Sequence, residues 1–227
     1  MLTVHHLDDS RSQRVLWLLE ELGVPYEIEH YRRHPSTMLA PPELRKVHPL
    51  GKSPVVTDDG PDGRITVAES GAILEYLVET YGDGRLVPPV GTQAHRDYRY
   101  WLHFAEGSAM GPLLMKLLFS LMPKRSPWVM RPVVGALSKT VVGGFIDPQI
   151  TRHLAFAEET LTRSVYFAGA ELTAADVQMS FPIQAALARS AKPGQFPKLE
   201  AFVARIEARP AYKRALERGG PFKILQV

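Results

Sequence analysis

Residues 51–56 have the sequence Gly-Lys-Ser-Pro-Val-Val, and residues 68–71, Ala-Glu-Ser-Gly, follow closely. Pro54 opens a predicted strand, where it has no N–H to give to the strand ladder. If the bond before Pro54 is cis, Ser53 turns its backbone N–H and C=O toward solvent. An extended ligand can then pair with that backbone as an added strand. The first of these segments therefore predicts a sheet edge that holds a short peptide.

The second segment predicts the start of a helix at Ser70. Ile73, Leu74 and Leu77 recur at helical spacing after it. The first N–H groups of a helix have no partner within the helix and attract a carboxylate. Glu69, beside them, can pair with an ammonium group. One end of a peptide that carries both charges is thereby accommodated.

The surrounding sequence predicts the order β-α-β-α-β-β-α for the first part of the chain. The first β-α-β unit implies a parallel pair with a right-handed crossover, and a later hairpin adds an antiparallel edge. A loop over residues 59–63 joins the hairpin. The predicted strands cover residues 2–7, 26–31, 55–58 and 65–67, and the predicted helices cover residues 11–22, 41–47 and 70–81.

The chain beyond residue 91 shows helical patterns and no convincing strand. A stretch rich in Gly and Pro, residues 82–91, predicts a linker. Thr173 and Asp176 have the form of a capping box. We therefore predict two domains, an α/β domain over residues 1–84 and an all-α domain over residues 92–227. The predicted helices of the second domain cover residues 92–122, 149–164, 173–191 and 197–218, with irregular structure or short helices over residues 123–148.

The composition excludes several classes of function. Of 227 residues, 27 are Lys or Arg and 24 are Asp or Glu, so the net charge of +3 is too small and too scattered to indicate a nucleic-acid partner. The absence of cysteine excludes disulfides and thiolate metal ligands and fits a reducing cytoplasm. The N-terminus shows no signal-peptide pattern. Prolines and basic residues interrupt residues 113–146, so we expect no membrane span, which needs ~18 apolar residues.

Four motifs, taken in order, resemble the cytosolic glutathione transferase family. They are Ser10 with Arg14 four residues later, residues 48–54 (HPLGKSP), Glu69 with the next serine, and residues 167–176 (FAGAELTAAD). The resemblance covers essentially the whole chain. Within the family, the chain most resembles a serine-type subgroup from fungi and bacteria. It implies a thioredoxin-like N-terminal α/β domain, an all-helical C-terminal domain and a homodimer, with glutathione as co-substrate and no metal.

The resemblance also implies which residues bind glutathione. Ser53 would pair through its backbone with the cysteinyl unit, and Pro54 would follow a cis bond. Glu69 and Ser70 would hold the γ-glutamyl end. Lys52 lies where members of the family reach toward the glycyl carboxylate.

By the same resemblance, the hydroxyl of Ser10 faces the glutathione sulfur. A free thiol has a pKa near 8.5, and lowering it by about two units requires about 2.7 kcal/mol of differential stabilisation. A hydroxyl donor at a helix N-terminus supplies stabilisation of that size, so we interpret Ser10 as a hydrogen-bond donor rather than a base. Two points stay open: whether Ser10 or Ser12 faces the sulfur, and whether Arg14 tunes that site or pairs with Glu20 or Glu69.

The second substrate would bind against apolar side chains of the first C-terminal helix. We predict that Tyr100, Phe104 and Met110 line this electrophile pocket. His5 and His6 are adjacent in a strand and point to opposite faces, which is poor geometry for a metal. Residues 123–148 are unusually apolar, and either a dimer interface or a cover over the cleft explains them.

These observations predict an enzyme that conjugates glutathione to small apolar electrophiles. Glutathione-dependent isomerisation, dehalogenation or peroxide reduction is an alternative on the same fold. A non-catalytic module that uses the fold for protein interaction is another, because fold and activity are separable. We expect a cytoplasmic protein in each case.

Overall fold

The first part of the chain has the predicted order of strands and helices. The computed structural model describes residues 1–61 and 63–220. The elements are β1 (Leu2–Leu7), α1 (Ser12–Leu22), β2 (Glu27–Tyr31), α2 (Leu44–Val47), β3 (Val55–Gly60), β4 (Gly63–Ala68) and α3 (Ser70–Tyr81).

These strands form one mixed sheet in the order β2-β1-β3-β4. β1 and β2 are parallel, whereas β3 is antiparallel to both β1 and β4. The hairpin is longer than predicted, because the ladder continues until Gly60 lies opposite Gly63. Asp59, in the loop that the sequence predicted, and Arg64, just after that loop, form an ion pair of 2.7 Å across this extension. Asp62 lies outside the described residues.

Seven helices follow among the described residues. They are α4 (Gln93–Phe104), α5 (Met110–Arg125), α6 (Arg131–Val141), α7 (Asp147–Arg163), α8 (Ala174–Ser190), α9 (Pro197–Glu207) and α10 (Pro210–Gly219). A π-helical turn, Ala105–Ala109, joins α4 to α5, and another, Val142–Ile146, joins α6 to α7. The four helices therefore form two long rods. The predicted end of the second domain, residues 221–227, lies outside the described residues.

One helix prediction is wrong because of where the prolines fall, and in residues 123–148, for which the sequence left irregular structure or short helices open, the structure shows short helices. Residues 123–148 are largely helical: Pro132 occupies the first turn of α6, where a helix tolerates proline, and Pro123 lies two residues before α5 ends. The predicted helix over residues 197–218 is instead two helices. Arg209 is extended, as is favoured before a proline, and Pro210 starts a new helix.

The rod from Trp128 to Arg163 is long and apolar enough, by length and composition alone, to cross a membrane. The interrupted sequence did not predict such a helix. Its second half, α7, buries Ile150, Leu154, Ala157 and Leu161 in the protein core. That half is therefore part of the globular fold.

Helix α1 lies at the centre of the molecule. Trp17 and its neighbours are fully buried, because α1 packs against β1, α3, α8 and α10. It ends at Gly23, whose positive φ of 67° suits glycine, and the Gly23 N–H donates to the carbonyl of Leu19. Helix α1 therefore contributes buried side chains to the hydrophobic core of both parts of the chain.

The predicted capping box at the start of α8 is confirmed. Asp176 is fully buried, and one carboxylate oxygen accepts hydrogen bonds of 2.8 Å from the N–H and the hydroxyl of Thr173. The other accepts from the N–H of Phe167 at 2.8 Å. Burial raises the pKa of Asp176 to about 6, and these three donors oppose that rise.

We expect Asp176→Asn to lower the free energy of unfolding by about 1–3 kcal/mol, because an amide offers one acceptor oxygen and leaves a buried donor unpaired. Urea unfolding followed by circular dichroism at neutral pH measures the loss. Thr173→Ser keeps the hydroxyl and is the matched control, with an expected change below about 1 kcal/mol. Equal stability of Asp176→Asn and the unmodified protein would show that this box does not hold α8.

Candidate functional site

A cavity of about 610 Å³ lies between the loops of the α/β part and the helices that follow. The wall formed by the loops, which we call the polar wall, carries four basic side chains and two serines among apolar residues, and the wall formed by the helices is apolar except for Arg189. The polar wall includes Ser10, Arg11, Arg33, Arg45, Lys52 and Ser53, and the apolar wall is formed by Met110, Leu113, Leu114, Leu117, Phe181 and Ala185, with Arg189 at the end of the same helix face.

Ser10 lines this cavity, whereas Ser12 is completely buried behind it. The Ser10 oxygen accepts a hydrogen bond from the N–H of Ser12 at 3.2 Å, and the two hydroxyl oxygens lie 2.7 Å apart. The side chain of Ser10 therefore caps the first N–H of α1, although Arg11 is the residue that immediately precedes the helix. Of the two serines that the sequence left open, Ser10 is the one whose hydroxyl a ligand in the cavity can reach.

A chain of hydrogen bonds behind Ser10 fixes the direction of its proton. His6 Nε2 lies 2.9 Å from the carbonyl of Gly219, and His6 Nδ1 lies 2.8 Å from the hydroxyl of Ser12. A carbonyl only accepts, so Nε2 carries the proton and Nδ1 accepts from Ser12. Burial lowers the pKa of His6, which keeps the ring neutral. Ser12 then accepts from Ser10, so the Ser10 proton points at Ser12, and the Ser10 hydroxyl has to rotate away from Ser12 before it can donate to an anion in the cavity.

The loop before β3 is fixed against β1. The Ser53–Pro54 bond is cis, as the resemblance implies. The hydroxyl of Ser53 donates to the carbonyl of His5 at 2.8 Å. Gly51 has a positive φ of 58°, and a Cβ there would approach Arg45 Cγ to 2.7 Å, so a larger residue would strain the backbone and force the Arg45 side chain to shift. The exposed Lys52 is presented from this fixed loop at the cavity wall.

Glu69 and Ser70 lie at the N-terminus of α3, as predicted. Glu69 is exposed and has φ 73° and ψ 128°, a backbone strain of about 1–3 kcal/mol for a residue other than glycine. Ser70 is buried, and its oxygen accepts a hydrogen bond from Arg14 at 3.2 Å. The described residues that line the 610 Å³ cavity do not include either of them.

Arg14 forms a structural ion pair, but with neither Glu20 nor Glu69, the two partners that the sequence suggested. Its guanidinium is buried and donates to Glu106 at 2.7 Å and to the carbonyl of Gln178 at 2.7 Å. Burial lowers the pKa of Arg14, and Glu106 counteracts this shift. Glu20 instead pairs with arginines of α10. Glu106 lies in the π-helical turn, far away in sequence, and no local spacing could have indicated it.

The apolar wall differs from the predicted electrophile pocket. Met110 lines the cavity, but the described lining residues do not include Tyr100 or Phe104. Tyr100 stacks on Phe104, with ring centroids 5.7 Å apart, and both rings contact Phe156 of α7. The π-helical turn that follows α4 shifts the helix register, so Met110 faces the cleft while the preceding turn faces α7.

Sequence reasoning missed Arg11, Arg33 and Arg45 on the polar wall, and it missed the residues of the apolar wall that lie on α5 and α8. Phe181, Ala185 and Arg189 recur every four residues and share one face of α8, as Leu113 and Leu117 do on α5. This spacing is visible in the sequence. It is the same spacing that buried core residues show, so it could not separate a cavity wall from ordinary packing.

One cluster of potential metal ligands occurs among the described residues. Ligand atoms of His6, Asp8 and His30 lie within 4.8 Å of one another. Both ring nitrogens of His6 are already engaged by Ser12 and Gly219. A cation would have to displace one of these partners, so the residues present fit a metal poorly.

Comparisons with known proteins agree with this geometry. Residues 10–80 match the family model for the glutathione S-transferase N-terminal domain, and residues 121–210 match the model for its C-terminal domain. The chain is 36% identical to glutathione S-transferase 3 of Schizosaccharomyces pombe, over 96% of this chain and 88% of the yeast protein.

The fold of the chain is also similar to solved structures of glutathione transferases. A glutathione S-transferase from Actinobacillus pleuropneumoniae is 30% identical, with a TM-score of 0.78 over 100% of this chain and 97% of that one. A glutathione transferase family member from Pseudomonas fluorescens, solved with two glutathione bound, is 27% identical, with a TM-score of 0.70 over 95% and 92% of the two chains.

We expect Glu106→Gln to lower the free energy of unfolding by about 2–3 kcal/mol. The change removes the countercharge of a buried guanidinium, and the 29% exposure of Glu106 keeps the effect below that of a fully buried pair. Urea unfolding at neutral pH measures it. Glu159→Gln is the matched control, because the Glu159–Arg163 pair is exposed and contributes about 0.5 kcal/mol or less. Equal effects of the two substitutions would contradict a structural role for the Arg14–Glu106 pair.

Proposed function

The chain belongs to the glutathione S-transferase family, and from that premise we propose that it joins the thiolate of glutathione to small apolar electrophiles. The predicted fold class, a thioredoxin-like α/β part followed by an all-α part, is confirmed by both family models. The observation that carries the proposed reaction is the position of the Ser10 hydroxyl, which faces a cavity with one polar and one apolar wall.

Glutathione lies along the polar wall in this proposal. Its cysteinyl backbone pairs with Ser53, and its glycyl carboxylate lies near Lys52. Its γ-glutamyl end is held by Glu69 and Ser70 at the start of α3, where helix N–H groups favour a carboxylate. The Pseudomonas fluorescens relative with two glutathione bound supports this use of the fold. The strained backbone of Glu69 supports a ligand-binding role for that residue.

The reaction needs a thiolate, and Ser10 stabilises it. The sulfur releases its proton to solvent, and the Ser10 hydroxyl turns from Ser12 to donate to the anion. The N-terminus of α1 adds a favourable potential at the same place. The sulfur lone pair then forms the new C–S bond, while the leaving group departs with the electrons of its own bond.

The apolar wall determines the second substrate class. Met110, Leu113, Leu117, Phe181 and Ala185 offer no hydrogen-bonding side chain to a substrate. An apolar electrophile gains about 25 cal/mol for each Å² of surface that it buries against them. Holding that molecule next to the thiolate also removes the entropy cost of the encounter.

A homodimer, a cytoplasmic location and the division of the chain into residues 1–84 and 92–227 stay predictions. The resemblance to the family supports all three. Size-exclusion chromatography with light scattering would measure the assembly directly.

We expect Ser10→Ala to raise the pKa of bound glutathione by about 1–2 units and to lower kcat/KM for a chlorodinitrobenzene about 10- to 100-fold, because a hydrogen bond to a charged group contributes about 1.5–3 kcal/mol. Thiolate absorbance against pH measures the pKa, and calorimetry should show that glutathione still binds. Ser10→Thr restores a hydroxyl and should recover part of the rate.

An unchanged thiol pKa in Ser10→Ala would reject the role of this hydroxyl. A panel of hydroperoxides and haloalkanoic acids should react more slowly than the aromatic halide. Faster peroxide reduction would instead favour the peroxidase alternative, and a protein that binds no glutathione would favour the non-catalytic one.

We expect Glu69→Gln to weaken glutathione binding about tenfold, which corresponds to about 1.4 kcal/mol, while the pKa of the bound thiol stays the same. The amide keeps the side-chain shape but loses the charge that pairs with the γ-glutamyl ammonium. Calorimetry measures the dissociation constant. Glu79→Gln, an exposed acid on the same helix, is the matched control and should change binding less than twofold. Equal weakening by both changes would point to general electrostatics rather than a contact at Glu69.

A further inference from the structure

Helices α5 and α6 form a hairpin whose turn projects an apolar surface into solvent. We define residues 122–137 as the hairpin tip. A single 3₁₀ turn, Trp128–Met130, lies at its end. Exposed large apolar side chains cover the tip: Met122, Trp128, Val129, Met130, Val133 and Leu137. Such a cluster, continuous around one turn, is typical of an interaction surface.

The charged side chains in and around the hairpin tip are all basic. Residues 107–146 contain no Asp or Glu, although the whole chain has 24 of them against 27 Lys and Arg. Lys116 is neutralised by Asp147 at 2.8 Å. Lys124, Arg125, Arg131 and Lys139 are exposed, and within residues 1–61 and 63–220 none of these four takes part in an ion pair.

We propose that the hairpin tip docks on the surface of an anionic phospholipid bilayer. Apolar side chains on such a surface insert about 5–10 Å into the headgroup and acyl boundary, and tryptophan is favoured at that depth. Basic side chains around them attract anionic headgroups. Three of the four free cations, Lys124, Arg125 and Arg131, lie within a few residues of Trp128, so both attractions act at one place.

The protein lies on the bilayer and does not cross it. The rod that is long enough to span continues into α7, whose apolar face is buried in the core. Inserting the whole rod would remove that face from the fold. The exposed first part of the rod and the end of α5 can contact a bilayer surface while the protein stays folded.

Charge favours lipid over a second copy of the chain as the occupant. Two tips brought together would place six uncompensated cations against one another, with no acidic residue in either tip. An anionic bilayer compensates the same charges. The docking surface is separate from Ser10 and the polar wall, so this inference does not depend on the proposed reaction.

The tryptophans make the contact directly measurable. Trp128 is 78% exposed, whereas Trp17 and Trp101 are 0% and 3% exposed, so a change in solvent exposure on docking is reported by Trp128. The purified full chain is mixed with vesicles of phosphatidylcholine alone or with ~30% phosphatidylserine. We expect a blue shift of the emission and co-sedimentation only with the anionic vesicles, and Trp128→Phe should abolish the shift.

Two triple variants test the role of charge. Lys124→Gln, Arg125→Gln and Arg131→Gln together should weaken vesicle binding more than tenfold. The control combines Lys192→Gln, Lys198→Gln and Lys213→Gln, which removes the same charge from exposed positions away from the tip and should weaken binding less than threefold. Both variants should keep the rate of glutathione conjugation in solution, so a failure of docking is distinguishable from a failure of the reaction.

Three results would overturn the inference. The first is no binding to anionic vesicles, and the second is equal binding to neutral ones. The third is a Trp128 emission that is already blue-shifted without vesicles and varies with protein concentration, which would place the tip between two copies of the chain.

Discussion

The buried guanidinium of Arg14 is the constraint on which the arrangement of the two halves depends. A charge removed from water is tolerated only when countercharge and hydrogen-bond acceptors surround it. Here they come from three places: Ser70 at the start of α3, Gln178 in α8, and Glu106 in the π-helical turn. A displacement of either half would leave the charge uncompensated. The N-termini of α1 and α3, where the thiol and the γ-glutamyl end are proposed to bind, are therefore held at a fixed separation.

The orientation of the Ser10 hydroxyl depends on the opposite end of the chain. The carbonyl of Gly219, in the last turn of α10, sets the tautomer of His6, and His6 sets the direction of the Ser12 proton. Gly219 permits this approach because a Cβ there would come within 2.5 Å of Leu16 and 2.7 Å of Gln13. The alcohol that faces the cavity is thus positioned by groups that belong to the core. This arrangement fixes the position of the Ser10 oxygen with neutral groups only, so no second charge lies beside the place where the thiol is proposed to bind.

Sequence reasoning succeeded where the cause of a structure is local. The helix start at Ser70, the cap at Asp176 and the strand start at Pro54 each follow from a few neighbouring residues. It failed where the cause is distant. The partner of Arg14 comes from a different part of the chain. The π-helical turn before α5 has no recognisable sequence pattern, so the sequence could not show that Tyr100 lies outside the cavity lining. For residues 123–148 the prolines left irregular structure and short helices both open, because a proline is tolerated best near the start of a helix and the sequence did not show where each helix begins.

The two walls of the cavity differ in how closely sequence constrains them. If glutathione binds as proposed, the polar wall must match the fixed charges and the main chain of one peptide, so few residue types serve there, and the motifs that hold Ser10 and Ser53 were recognisable. The apolar wall needs only side chains of suitable volume, and many sequences satisfy that need. Leu113 and Leu117 therefore look like ordinary core residues until the fold is known. Since α5 supplies that wall and also leads to the hairpin tip, the least constrained face of the site is the one beside the proposed lipid surface. An apolar electrophile that partitions into a bilayer would meet the protein on this side.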